Sequence, residues 1–260
     1  MARHQRYVST ELTHFAGRNR RKKDGTPDLD AQYDLLIKIL REGRLLHRTD
    51  DSDGPPRVTF DGTGSFENRT LICPDAVYFC DIPVADFGIH IEKYSTFGLS
   101  FLKSFLVGKG ANPAFYIAHN STAHPRDFAA LVLYPDSEEP GPRTRASLLD
   151  RLIKSHLVVE NRIGTTSPEN VPPAIKDLVV KANMLSAMIR HHFLSFCVPF
   201  DASKDDTHQE NYYMEREWRV LGEVPFELTD VYRVVLPREY AERFRHDLPS
   251  YFGQITFPDY

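Results

Sequence analysis

Apolar positions along this chain switch repeatedly between a two-residue and a three-to-four-residue period. Those switches predict many short strands and few helices. Residues 8–15 read as a first strand, with Val8, Leu12 and Phe15 among polar neighbours. Residues 34–42 read as a short amphipathic helix whose buried stripe is Leu35, Leu36, Ile39 and Leu40, stopped by Gly43. Residues 47–69, rich in Asp, Gly, Pro and Ser, read as a long loop. Residues 76–83 form a central strand ending at Pro83. Residues 90–105 mix both periods, and residues 94–101 inside them read as a turn into a short buried strand. Residues 112–117 are a strand opened by Pro113, and residues 131–144 a connector. Residues 126–134 and 148–159 fit helix or strand equally. The longest helical pattern is 174–196, where Ile175, Leu178, Val179, Ala182, Leu185, Met188, Ile189, Phe193 and Phe196 recur at i+3 and i+4. It is expected to be a core helix packed on the sheet. Residues 231–236 make a strand, 237–248 a helix with proline at its start, and 254–257 a terminal strand. The sum is α+β without regular βαβ alternation, which disfavours a doubly wound parallel sheet.

The densest chemistry lies in residues 212–221, read as a late strand. Alternation along it puts Tyr213, Glu215, Glu217 and Arg219 on one face, and Met214, Arg216, Trp218 and Val220 on the other. Paired carboxylates aimed into a cleft can stabilise a developing cation. The plainer alternative is an exposed edge strand whose charges pair with neighbouring strands. A second charged feature is the loop holding Arg18, Arg20, Arg21, Lys22 and Lys23, closed by Asp24-Gly25-Thr26-Pro27. Such loops are ordinarily solvated, but in a nucleotide-using protein this one could meet phosphates.

Composition narrows the classes. The 260 residues are 41 % hydrophobic and 26 % charged, with net charge -4, so no global basic field points to nucleic acid. No apolar run reaches membrane-spanning length, and residues 1–6 are basic without the apolar stretch of a secretory signal. Cys73, Cys80 and Cys197 form no close pair, and His119, His124, His191 and His192 show no ligand spacing. A metal-free, cytoplasmic protein is expected. Gly-x-Gly-x-x-Gly, Gly-x-x-x-x-Gly-Lys and Gly-x-Ser-x-Gly are all absent from the sequence.

Four stretches in order carry a resemblance. They are Thr13-His14-Phe15 with the helix and residues 39–45; Phe79-Cys80-Asp81-Ile82-Pro83; His90 with residues 94–101; and Glu215-Arg216-Glu217-Trp218-Arg219-Val220. Together, over nearly the whole chain, they resemble the AbiGi-like proteins of bacterial abortive phage resistance, which implies one domain over residues 1–260. The order of elements also resembles the ADP-ribosyltransferase fold, a split antiparallel β-sheet with flanking helices that holds NAD in its cleft.

That second resemblance implies roles. Glu217 would hold the ribose hydroxyl and face the oxocarbenium-like centre, and Glu215 would orient or deprotonate the acceptor. Thr13 or His14 would hold the nicotinamide-side ribose or the adenylate. Tyr94, Ser95 and Thr96 would form the wall against which nicotinamide packs. Arg18 would take the pyrophosphate. The ordinary readings stand beside these: His14 as a structural hydrogen-bonder, and Tyr94, Phe97 and Trp218 as core aromatics. Three functions follow. One is a toxin-type ADP-ribosyltransferase that uses NAD to modify a protein or nucleic acid. Another is a non-catalytic AbiGi-type antitoxin or regulatory partner of a cognate toxin. The third is a nucleic-acid-directed effector relying on the 18–23 loop.

Overall fold

A computed structural model describes residues 9–46, 56–122, 144–164, 172–205, 208 and 210–258. The chain divides into two compact units: Met1–Pro56, Asp75–Ala114 and Asp206–Tyr260 make the first, and Arg57–Pro74 with Phe115–Asp205 the second. The mixed α+β class expected from the periodicity is observed.

The first unit is built on a seven-stranded sheet. Numbered along the chain, its strands are β1 (Glu11–Phe15), β5 (Ala76–Cys80), β6 (Gly98–Leu102), β7 (Asn112–Pro113), β10 (Glu217–Leu221), β12 (Val231–Val235) and β13 (Gln254–Thr256). They run in the order β13-β12-β6-β1-β5-β10-β7. Every neighbouring pair is antiparallel except β12 with β13. Thr13 faces Cys80 on one side and Ser100 on the other, and Cys80 in turn faces Glu217. These four side chains therefore share one face of the sheet.

The opposite face carries the main core. Leu12, Val77, Phe79, Leu99, Phe101, Val220 and Val234 meet Tyr33, Leu36, Ile37 and Leu40 of helix α1 (Leu29–Glu42). This helix starts five residues before the sequence pattern suggested, because the Asp28 side chain accepts a hydrogen bond from the Ala31 amide at 3.1 Å and caps it. It stops at Gly43, which adopts φ +63. A Cβ there would lie 2.7 Å from the Phe226 carbonyl oxygen, so glycine is required twice over.

Over the polar face lies the short helix α2 (Gly88–Lys93); its Ile91 and the preceding Phe87 pack with Ile82 against Cys80 and Val235. The rest of that face is polar. Arg233 grips the Glu11 carboxylate, with its Nε 3.0 Å from Oε2, and Thr13 and Ser100 share a 2.8 Å hydrogen bond.

In the second unit, β3 (Val58–Phe60) pairs with β4 (Ile72–Pro74), and β8 (Phe115–Ala118) runs parallel to β9 (Cys197–Phe200). Two twenty-residue helices accompany them: α4 (Arg145–Gly164), which settles the ambiguity over 148–159, and α5 (Pro173–His192). α3 (Lys103–Gly108) and α6 (Ala241–Asp247) belong to the first unit. Phe66, Leu71, Ala146, Ile153, Leu194 and Cys197 form the second unit's core.

Three expectations are corrected. The strand foreseen at 112–117 is two strands, broken at Ala114, whose amide turns to donate to the Glu217 carbonyl at 2.8 Å. α5 was expected to bury its apolar positions, yet Leu178, Leu185 and Met188 are exposed; its inward side is Val179, Ala182, Ser186 and Ile189. The Glu-x-Glu strand begins only at Glu217. Tyr212–Glu215 is a 3-10 turn, and Arg216 at φ +42 breaks the alternation that would have placed both acids on one strand face. The expected strand start at Val8 and the segment 126–134 lie outside the described residues.

Candidate functional site

Arg216 is the local cause of the site's geometry. Its left-handed backbone reverses the chain between a 3-10 turn and β10, so Glu215 and Glu217 are both buried but reach different partners.

Glu215 is held by the end of α2. Its Oε1 accepts from Lys93 Nζ at 2.5 Å and from the Tyr94 hydroxyl. The Lys93 ammonium also lies 4.2 Å from the centre of the Tyr212 ring, a cation–π contact that fixes it from a second side. Tyr94 is contacted in turn: Phe15 stacks on it at 6.5 Å, and the Arg18 guanidinium sits 5.2 Å from its centroid. His90 stacks on Tyr94 at 6.4 Å. Burial, then the positive charges of Lys93 and Arg216, push the His90 imidazole down to about 4. His90 Nδ1 and Thr96 Oγ1 are buried with no hydrogen-bond partner among the described residues.

Glu217 opens β10 and accepts from Arg219 Nε at 2.5 Å, two residues along the same strand face. The Arg219 guanidinium lies 5.2 Å from the Tyr78 ring centre. Beneath the pair, the Cys80 thiol donates to the Thr13 carbonyl at 3.4 Å. Burial first, and the Glu215 carboxylate second, raise that thiol far above its ordinary range, so Cys80 stays protonated and unreactive. Asp81, next in the chain, is clamped by Lys103 at 2.7 Å and by the Ser9 amide at 3.1 Å.

The structure thus brings Arg18, Tyr94 and Glu215 together, and sets Thr13 and Glu217 on the same sheet face. It does not bring His14 to them. His14 alternates onto the core face, where Nδ1 bonds the Tyr78 carbonyl at 2.8 Å and the ring meets Phe79 edge-on at 5.9 Å. The Ser95 hydroxyl is spent on its own turn, donating to Gln32 Oε1 and accepting from the Phe97 amide, each at 3.1 Å. Lys93, Tyr212 and Arg219 are the groups that sequence reasoning left without roles. Arg219 was legible as a same-face neighbour of Glu217, but Lys93 was hidden in the mixed-period stretch that turns out to hold α2.

Chemically, each acid is already answered by a cation. The arrangement is a polar joint between β10, α2 and the start of the basic loop, in which each carboxylate is paired with a cation. An open groove of about 480 Å³ lies elsewhere in this unit, along Tyr33, Ile37, Arg41 and Arg243, and holds none of these residues. Among the described residues, no group of three or more His, Cys, Asp or Glu could hold a metal ion, and no helix is long and apolar enough to cross a membrane.

Comparison with known proteins gives one family. Its model, described as "Putative abortive phage resistance protein AbiGi, antitoxin", matches residues 64–245. That span contains α2, Tyr94, Ser95, Thr96 and both acids, and leaves out Thr13, His14 and Arg18. No curated protein matches, and no solved structure matches. With more than half of its length covered, from the loop before β4 into α6, the chain belongs to the AbiGi family of abortive phage resistance proteins.

Proposed function

We propose that the chain is the antitoxin-type, regulatory partner of a phage-defence pair, and that it works in the cytoplasm by binding a cognate toxin protein rather than by turning over a substrate. The family match carries this reading, since the family's description names an antitoxin. The chemistry of the joint supports it. A carboxylate that is to stabilise an oxocarbenium-like centre must offer its charge to the ligand. Here Lys93 and Tyr94 occupy Glu215, and Arg219 occupies Glu217. Side chains so committed hold β10 and α2 in place more readily than they catalyse. The test is complex formation between the purified chain and the toxin encoded at its own locus. A stoichiometric complex that persists through gel filtration is expected, and the absence of any complex at micromolar concentrations sinks the reading.

A second reading retains one favourable observation. Arg18, Tyr94 and Glu215 converge, with Thr13 and Glu217 on the same sheet face, as an NAD-dependent ADP-ribosyltransferase would require. On it, NAD is the substrate, Glu217 faces the ribose, and the acceptor is a protein or nucleic acid. Transfer of label from NAD to any lysate component, lost in Glu217→Gln, would establish it in place of the first.

A further inference from the structure

The basic loop between β1 and α1 is a hydrogen-bonded turn. The Lys22 amide donates to the Thr26 carbonyl at 2.8 Å and the Asp28 amide to the Arg20 carbonyl at 3.0 Å, with an antiparallel bridge between Arg21 and Pro27. The Arg21 guanidinium closes the tip by donating to the Gly25 carbonyl at 2.8 Å. At the base, the Arg18 guanidinium rests 5.2 Å from the Tyr94 ring centre. Residues 18–27 are all exposed.

The charge of this turn is one-sided. Residues 17–28 hold five cations, Arg18, Arg20, Arg21, Lys22 and Lys23, against two acids, Asp24 and Asp28. That is a net +3 in a chain whose total is -4, so the other residues together carry -7. Both acids are engaged locally. Asp24 accepts from the Thr26 hydroxyl at 2.6 Å and from its amide at 2.9 Å, and Asp28 caps α1. The next acid along, Asp30, is taken by Arg243 at 3.2 Å. Among the described residues, none of the five cations forms a salt bridge.

We infer that this turn docks the phosphate backbone of a nucleic acid, without regard to base sequence. Its side chains select that partner. Guanidinium and ammonium groups, with the Asn19 amide and the Thr26 hydroxyl beside them, are the donors that proteins set against phosphate oxygens. Three of the five cations are arginines, whose planar fork matches a phosphate. A protein interface needs apolar or aromatic side chains at its centre, and stable membrane anchoring needs apolar groups to insert. Residues 17–28 offer neither, since Pro27 is the largest apolar side chain among them. The turn is already ordered by its own hydrogen bonds, so docking costs little conformational freedom. The negative balance of the other residues confines a polyanion to this turn. With three to five phosphates neutralised, log affinity falls against log salt with a slope of about -3 to -4.5 on duplex DNA and about -2 to -3.5 on single strands.

This inference goes beyond the toxin-binding reading and stands whether or not that reading holds. Fluorescence anisotropy of the full chain with labelled single-stranded DNA, duplex DNA and single-stranded RNA, each of about 20 nucleotides, tests it and shows which is held best. Micromolar binding at about 50 mM salt is expected, weakened roughly twenty- to five-hundredfold at about 200 mM. Arg20→Gln with Lys22→Gln and Lys23→Gln is expected to lower the slope by about 2–3 and the affinity at low salt at least about thirtyfold. Arg20→Lys with Lys22→Arg and Lys23→Arg is expected to keep both. Far-UV circular dichroism is expected to be unchanged in either variant, because all three side chains face water. The same charge removed from other exposed positions, as Lys38→Gln with Lys176→Gln and Lys181→Gln, is expected to leave binding near wild type. Absence of binding to all three probes at low salt overturns the inference. So does a turn variant that binds like wild type, or an equal loss in the distant variant. Polyglutamate or phosphatidylserine vesicles bound as tightly as the oligonucleotides would also overturn it, and assign the turn to an acidic protein or a membrane surface. Gel filtration with the toxin is a separate readout, in which the turn variant is expected to keep the complex. Loss of that complex with nucleic-acid binding intact would overturn the inference and assign the turn to the toxin.

Discussion

Replacing Lys93 by methionine removes the cation from the Glu215 carboxylate while keeping a stem of similar length. The side chains of Lys93 and Glu215 are only 12 % and 9 % exposed, so this is not a screened surface pair. Removing one member of a buried pair typically costs about 3–5 kcal/mol, because the other charge is left uncompensated. Residual water access and the remaining Tyr94 hydroxyl place the expected loss at or somewhat below the lower end, at about 2–3 kcal/mol. Glu215→Leu strands the ammonium in the same way. Removing both charges is expected to cost less than the two single changes combined, with a coupling of about 1.5–3 kcal/mol in a double-mutant cycle. The chain contains one tryptophan, and Trp218 lies three residues from Glu215 in the first unit's sheet. Its fluorescence during urea unfolding therefore reports the unit that contains the pair. Additivity of the single and double variants within about 0.5 kcal/mol would refute the clamp.

Four further outcomes are expected. His90 is depressed to about 4 by burial and by Lys93 and Arg216; the unfolded chain binds its proton near pH 6.5, so stability is full above that pH and falls as pH drops towards 4, by roughly 3 kcal/mol in all. Urea midpoints of wild type and His90→Phe at pH 7 and pH 5 check this, and an equal pH response in both contradicts it. Gly43→Ala, forced to φ +63 against the Phe226 carbonyl, is expected to lose about 1–3 kcal/mol, whereas a neutral thermal scan would show that the turn can relax. Ser95→Ala leaves Gln32 and the Phe97 amide short of a partner and should cost about 1–3 kcal/mol, read as a lowered melting temperature. Under native conditions a thiol reagent is expected to modify exposed Cys73 and spare buried Cys80 and Cys197; prompt modification of a second thiol would contradict the packing.

What the sequence made legible follows the range of the interactions involved. Strands β1, β5, β6 and β12 were readable because each carries a short apolar run or alternation of its own and is bounded by proline, glycine or polar residues. The amphipathic centre of α1 was readable for the same reason, but its start was not, since Asp28 caps from beyond the apolar pattern. The Glu-x-Glu feature was wrongly drawn as a same-face pair on one strand. Arg216 adopts a left-handed conformation that no residue preference at arginine announces, and one such residue turns a same-face pair into two separately clamped acids. His14 was grouped with the acids through its neighbour Thr13, though alternation sends the two to opposite faces. α5 shows the limit of periodicity, which detects an apolar stripe but not what covers it. Lys93 reaches Glu215 across 122 positions of sequence, and no local pattern encodes such a contact.

The central claim, a binding partner rather than a catalyst, is met most directly by growth of cells expressing the chain alone and together with the toxin of its own locus, as wild type and as Glu217→Gln. Neither form is expected to arrest growth by itself, and wild type is expected to relieve the toxin's arrest. Arrest by the wild-type chain alone, abolished by Glu217→Gln at equal expression, would contradict it.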